Sequence, residues 1–257
     1  MNLAEEKTHR LIREGVVLID TNSLAVGQVN GLAVLDVGDH QFGRPTRITT
    51  TISAGLSGVL NIERLAALSG RHHDKGVLIL TGYLRETFAL ERPLAMTASI
   101  TLEQSYDEVD GDSAATAETL SLLSALSGVA ARQDMAVTGS MNQKGQVQAV
   151  GGVNEKIEGF YDLCLARGLT GNQGVIIPAA NVPHLMLRPQ IVEAVRDRRF
   201  HIFAVTRVDE AAELLMGIPG GATSPNGHYA PETLFGKVQA RLEELGEAAR
   251  HYLPWTS

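Results

Sequence analysis

The segment Glu108-Val-Asp-Gly-Asp-Ser113-Ala-Ala puts a serine hydroxyl at the head of a helical pattern. The first N–H groups of a helix lack intrahelical acceptors and its dipole is positive there, so an oxyanion forming beside Ser113 would be stabilised. The same position suits a plain capping role for Asp112 or Ser113, and by residue type alone capping is the commoner use. A nucleophilic serine also needs a base. His184 and His201 lie downstream, and triad members need not be close in chain order. The Gly-x-Ser-x-Gly elbow is absent, since Ala115 stands where its second glycine belongs. Lysine is the other option, and among the five lysines Lys156 stands out: it follows Gly151-Gly-Val-Asn-Glu in the first turn of an apolar-faced helix. A lysine acts as a base only when neutral, and burial together with a positive helix end lowers its affinity for a proton. By composition alone Lys156 reads as a solvated surface residue, so for each of the two positions the bland and the chemical readings stand side by side.

The elements that must carry these residues read as follows. Val16-Val-Leu-Ile19 is a short apolar run, and Val26–Val29 and Leu32–Leu35 flank an Asn30-Gly31 turn signal. Arg47–Ile52 is β-branched, and Leu94–Leu102 alternates at Met96, Ala98, Ile100 and Leu102, so both predict strands. Between them Ser69–Gly76 predicts a polar loop and Val77–Leu80 a buried strand. A helix is expected over Ser113–Leu126, between Gly111 and Gly128. Met135–Val137 and Val147–Val150 flank Asn142–Gly145 and predict a hairpin. Asn154 is expected to cap a helix whose Ile157, Phe160, Tyr161 and Cys164 share one face, with Gly168 ending it. Strands at Gly174–Pro178 and Phe200–Val205 alternate with helices at Pro189–Arg198 and Val208–Met216. Gly217–Gly227 reads as a linker and Pro231–Tyr252 as an amphipathic helix opening on proline. This pattern predicts an α+β fold: residues 1–15 a helical lead-in, a domain over 16–217 with a strand-rich N-terminal half and a mixed α/β C-terminal half, and a helical appendage over 218–257.

The 257 residues carry a net charge of -7 and only 5% aromatics. With no Lys/Arg-rich block, the charge argues against a nucleic-acid surface. Cys164 is the only cysteine, so no internal disulfide forms, and a lone thiol suits a reducing cytoplasmic setting. No apolar run reaches the roughly 18 residues of a membrane span. His72-His73 predicts a loop rather than a metal site, Cys164 a core residue, and Glu118 a side chain complementing the helix dipole.

Together Gly111-Asp-Ser113-Ala, Thr138-Gly-Ser-Met-Asn-Gln-Lys-Gly145, Val150-Gly-Gly-Val-Asn-Glu-Lys156-Ile and Gly174-Val-Ile-Ile-Pro178 resemble the proteolytic domain of the Lon protease family. Gly27–Val34 and Lys75–Leu84 are similar to it as well, so the resemblance runs from about Val16 to Gly217. It implies a Ser–Lys dyad, with Ser113 matching the nucleophile and Lys156 the base. Thr138 matches a threonine that orients the lysine, Asp110 an acidic position ahead of the serine, and Gly151 and Gly152 the turn that brings the lysine helix to it. Asp112 and Ala115 replace the proline and glycine of the common bacterial form, and Gly-Asp-Ser-Ala resembles the LonB-type branch and related bacterial Lon-like proteins.

The resemblance implies an endopeptidase for unfolded or extended polypeptides, acting through an acyl-enzyme, and a homo-oligomer in the form of a hexameric ring. No Gly-x-x-x-x-Gly-Lys-[Ser/Thr] loop is present, so no cofactor is expected on this chain. ATP and magnesium enter only with an AAA+ ATPase domain in a longer chain. The alternative is a non-catalytic, ring-forming binding module with a protease-like fold.

Overall fold

The computed structural model describes residues 3–38, 40–89 and 93–252. Helix α1 (Leu3–Arg13) is the expected lead-in. It is held by Ile12, which packs with Ile19 and Leu163, and by the Arg167 guanidinium, which donates to the Ile12 carbonyl. The short β1 (Leu24–Ala25) leads into β2 (Gln28–Asp36), β3 (Gln41–Ala54) and β4 (Gly58–Asn61), which is followed at once by one helical turn, α2 (Ile62–Leu65). Helix α3 (Arg71–Phe88), β5 (Met96–Leu102) and α4 (Ala115–Ser127) come next, followed by four short strands: β6 (Ala131–Arg132), β7 (Met135–Val137), β8 (Ser140–Met141) and β9 (Val147–Gln148). Helix α5 (Val153–Arg167), β10 (Gly174–Pro178), a 3-10 turn (Ala179–His184), α6 (Pro189–Arg196), β11 (His201–Val205), α7 (Val208–Met216) and α8 (Leu234–Tyr252) complete the described chain.

The main sheet has seven strands in the order β11-β10-β7-β2-β3-β5-β4. β11, β10, β7 and β2 run parallel; β3 is antiparallel to both β2 and β5. Both faces are covered. Successive residues of a strand point to opposite faces, and β7 shows it: Met135 and Val137 join the larger core with α4, α7 and α8, while Ala136 joins the smaller one under α5 and α6. All five residues of β10 are buried, as expected of a parallel strand sandwiched between helices. This mixed sheet with its two helical layers is the α+β fold that the chain's patterning predicts.

Several local expectations are corrected. Val16–Ile19 forms no strand; Gln104 bonds its backbone instead, donating to the Val16 carbonyl and accepting from the Leu18 N–H. Asn30-Gly31 is no turn but lies inside β2, where the Asn30 amide donates to the carbonyls of Asp20 and Gln133. Ser69–Leu80 is not a loop and a strand: most of it is α3, whose buried His73, Gly76, Val77, Leu80, Tyr83 and Leu84 keep helical spacing. The expected hairpin is β8–β9, because β7 belongs to the main sheet. Helix α8 starts at Leu234, later than expected, and its Leu234, Phe235, Val238 and Leu245 lie in the larger core. Residues 253–257 of that expected segment lie outside the described residues.

Candidate active site

Ser113 stands just before α4, and nothing in its own hydroxyl is committed to capping. The N-cap position is Ala114 (φ -89°, ψ -13°), with no side-chain cap hydrogen bond, so the capping role expected of Asp112 or Ser113 is not taken up. Main-chain bonds from the segment after β7 hold the serine instead. The Gly139 N–H and the Thr138 hydroxyl both donate to the Ser113 carbonyl, at 2.9 and 3.3 Å, and the Thr116 N–H donates back to the Gly139 carbonyl at 3.0 Å. Gly139 has to be glycine for this approach: a Cβ there would lie 2.9 Å from the Thr116 hydroxyl oxygen. Among the described residues the N–H groups of Ser113 and Ala114 take no hydrogen bond. The Asp112 carboxylate accepts from the Ser140 hydroxyl at 2.7 Å, which ties the turn before Ser113 to β8.

Lys156 enters from the opposite helical layer. Helix α5 begins on Gly152 in the left-handed region (φ 64°), where a Cβ would also strike Val34 at 2.4 Å. Asn154 does not cap it, contrary to expectation; its side chain accepts from the Met186 N–H and donates to the His184 carbonyl. Gly151 is exposed and open on all sides. The helix lies backbone-to-backbone on β3. A Cβ on Gly43 would fall 1.9 Å from the Glu155 carbonyl oxygen and 2.8 Å from Lys156 Cα, and one on Gly159 would fall 2.1 Å from the Gly43 oxygen. That contact leaves Lys156 only 3% exposed.

Burial pushes the Lys156 ammonium down from its ordinary 10.5 to about 8, against the opposing pull of Asp112 and then Glu155. That drop is worth about 3 kcal/mol at 1.36 kcal/mol per pKa unit, whereas a helix terminus supplies about 0.3–1 kcal/mol. Desolvation therefore dominates. The neutral share at pH 7 rises from about one in 3,000 to about one in ten. Because Asp112 favours the ammonium, Asp112→Asn is expected to lower the Lys156 pKa below about 8, while the amide oxygen keeps the Ser140 bond. NMR titration of the five lysines of this chain checks it, and an unchanged or raised value would contradict the placing of Asp112 beside Lys156.

The remaining expected residues fall in distinct places. Thr138 is buried, 1% exposed, and its described partner is the serine carbonyl. Asp110 turns away toward α3, where it accepts from both the backbone N–H and the Nδ1 of His72, at 3.0 and 2.9 Å; these bonds hold its carboxyl down at about 2. Neither downstream histidine reaches the serine turn through a described bond. His184 is exposed on the 3-10 turn. His201 donates from Nε2 to the Gly171 carbonyl and pairs in the ladder with Gly174, which pairs with Met135. That level is three residues, about 10 Å, before Thr138. Cys164 is fully buried and its thiol is pushed up by burial, as a core role requires. Glu118 lies in the first turn of α4, where its charge complements the helix dipole as expected, and it is also 1% exposed and paired with His73. Neither the Gly43–Gly159 contact nor the Ser140–Asp112 bond has a local sequence signal.

Comparison with known proteins agrees with this architecture. The family described as the Lon protease (S16) C-terminal proteolytic domain matches residues 106–217, which include Ser113, Thr138 and Lys156. A Lon protease homolog of Escherichia coli (strain K12) is 42% identical over 256 residues, covering 98% of this chain and 42% of the relative. One of Haemophilus influenzae is 39% identical over 250 residues, covering 96% and 41%. An archaeal Lon protease of Methanocaldococcus jannaschii is 30% identical over 217 residues, covering 80% and 30%. The chain thus spans less than half the length of these relatives. It belongs to the Lon protease family and carries that family's proteolytic domain.

Proposed function

We propose that this chain is a serine endopeptidase in which Lys156 activates Ser113 to cleave unfolded or extended polypeptides. The observation that carries the reading is a lysine buried at a helix start, brought to a pKa of about 8 and acted on by the charge of Asp112, the residue just before a serine with an uncommitted hydroxyl. A lysine there serves no packing purpose that a leucine would not serve better, which counts against the non-catalytic ring module.

Neutral Lys156 takes the proton from Ser113 Oγ as that oxygen adds to the scissile carbonyl carbon. The oxyanion is met by the unbonded N–H groups of Ser113 and Ala114 at the positive end of α4. The lysine ammonium then gives its proton to the departing amine, leaving an ester on Ser113. Water, deprotonated by the same lysine, hydrolyses that ester and restores the hydroxyl. The peptide adds as a strand along an exposed sheet edge, so its own backbone supplies most of the affinity and little sequence preference results.

A hexameric ring and an AAA+ ATPase partner belong to the same proposal, as does a cytoplasmic setting. Because the chain has no phosphate loop, its own peptide hydrolysis is expected to be independent of ATP. The test incubates the pure chain with an unfolded protein substrate, with and without ATP. Equal cleavage in both supports the reading; ATP hydrolysis by the pure chain, or no cleavage at all, would sink it.

A further inference from the structure

The first turn of α3 grips the serine turn from both flanks. Ahead of Ser113, the Gly70 N–H donates to the Val109 carbonyl, the Val109 N–H donates to the Leu68 carbonyl, and His72 holds Asp110 through backbone and ring. Behind it, His73 Nε2 lies 3.0 Å from Glu118 Oε1, in the first turns of α4. Adjacent residues point apart, so one dipeptide reaches both sides. The two contacts differ in weight. His72 and Asp110 are exposed, and such a pair contributes little in water. His73 and Glu118 are each 1% exposed. Their second polar atoms, His73 Nδ1 and Glu118 Oε2, take no hydrogen bond among the described residues, so each group is the other's chief anchor. Losing either would strand a buried polar group.

We propose that His73 is a positioning residue which, through its buried bond to Glu118, fixes the start of α4 and with it the Ser113 hydroxyl and the N–H groups beside it. The bond is protonation-linked. Desolvation opposes charge on His73, but the Glu118 bond and charge, followed by Glu63 from α2 and Asp74 from α3 itself, outweigh it, so the imidazole titrates above its ordinary 6.5. A raised folded-state pKa means that the bond's stabilisation is fully present below about 6.5 and is lost as pH rises through the folded-state value. The serine side of the site therefore loosens with rising pH, while Lys156 gains base character over the same direction. A serine–lysine pair of this build works between two opposing titrations.

The inference rests on the proposed function only for its effect on catalysis, and the experiment separates the two. In the intact wild-type chain, NMR of the imidazoles and amide-exchange protection at Ala115–Glu118 are followed from pH 6 to 10, together with labelling of Ser113 by a fluorophosphonate. The expected result is a His73 that titrates above its ordinary 6.5, with protection at the start of α4 falling through the same titration. Glu118→Gln and His73→Gln should lower that protection and remove its pH dependence. Labelling in the variants should slow by about tenfold or more, since misplacing a reacting group by an ångström costs up to about 10²-fold. A His73 that titrates at or below its ordinary 6.5 in the wild type, or protection at α4 that does not follow its titration, overturns the proposal without any variant having to fold. Absence of Ser113 labelling in the wild type, with the protection results as expected, would instead count against the peptidase reading alone.

Discussion

Ser113→Ala and Lys156→Ala are each expected to remove peptide hydrolysis, by about 10⁴-fold or more, with the double variant scarcely slower than either. The reason is that in the proposed dyad the two side chains perform one step. Without the neutral amine the serine hydroxyl keeps its proton, and without the hydroxyl the amine has nothing to activate. Lys156→Arg belongs with the inactive set, because a guanidinium stays protonated at any pH the fold tolerates. Both Ser113→Ala and Lys156→Ala should fold, the first because Ser113 is held by its main-chain carbonyl rather than its hydroxyl, the second because removing a buried ammonium relieves a desolvation cost. Initial rates on an unfolded substrate, with circular dichroism of each variant, make the measurement. Substantial hydrolysis by either single variant would return the base to a histidine, His184 or His201.

The second large effect lies far from the reacting atoms in sequence. Gly43→Ala is expected to depress hydrolysis by about 10²-fold, since an ångström of displacement suffices for that, and to destabilise the chain by about 1–3 kcal/mol through overpacking. The atoms in the way are backbone: the Glu155 carbonyl and Lys156 Cα itself. No rotamer change clears them, so α5 has to lift from β3. Gly159→Ala meets the same contact from the other side, at the Gly43 oxygen, and should behave alike. As α5 lifts, water reaches the ammonium, and the Lys156 pKa should return toward 10.5. Loss of activity with an unchanged lysine titration would show that Gly43 acts by some route other than seating the helix.

These effects mark what sequence patterning reveals and what it hides. Strands β3, β5, β10 and β11 were legible because each shows β-branched or alternating residues, or a short buried run. Helix α3 was not. Val77–Leu80 is a contiguous apolar run that imitates a strand, and the true helical period emerges only when His73 and Gly76 are counted among the buried residues. A histidine that counts as core does so because Glu118 answers it from another helix, which no local window contains. Asn30-Gly31 failed for a similar reason: a turn signal was overridden by carbonyls from Asp20 and Gln133 that draw the asparagine amide into the sheet. At the site, Ser113 and Lys156 were legible as residue types at helix starts. The burial that lowers the Lys156 pKa was not, because it depends on two glycines, one on β3 and one on α5, meeting face to face.

Whether a neutral Lys156 prepares Ser113 for attack is tested most directly by the pH dependence of fluorophosphonate labelling, with the modified residue mapped by mass spectrometry. Wild type should be labelled on Ser113, at a rate that rises through about pH 8 as Lys156 loses its proton. Lys156→Arg should remain unlabelled over the whole range. A rising limb centred near 6.5 that survives in Lys156→Arg would identify a histidine as the base and contradict the dyad.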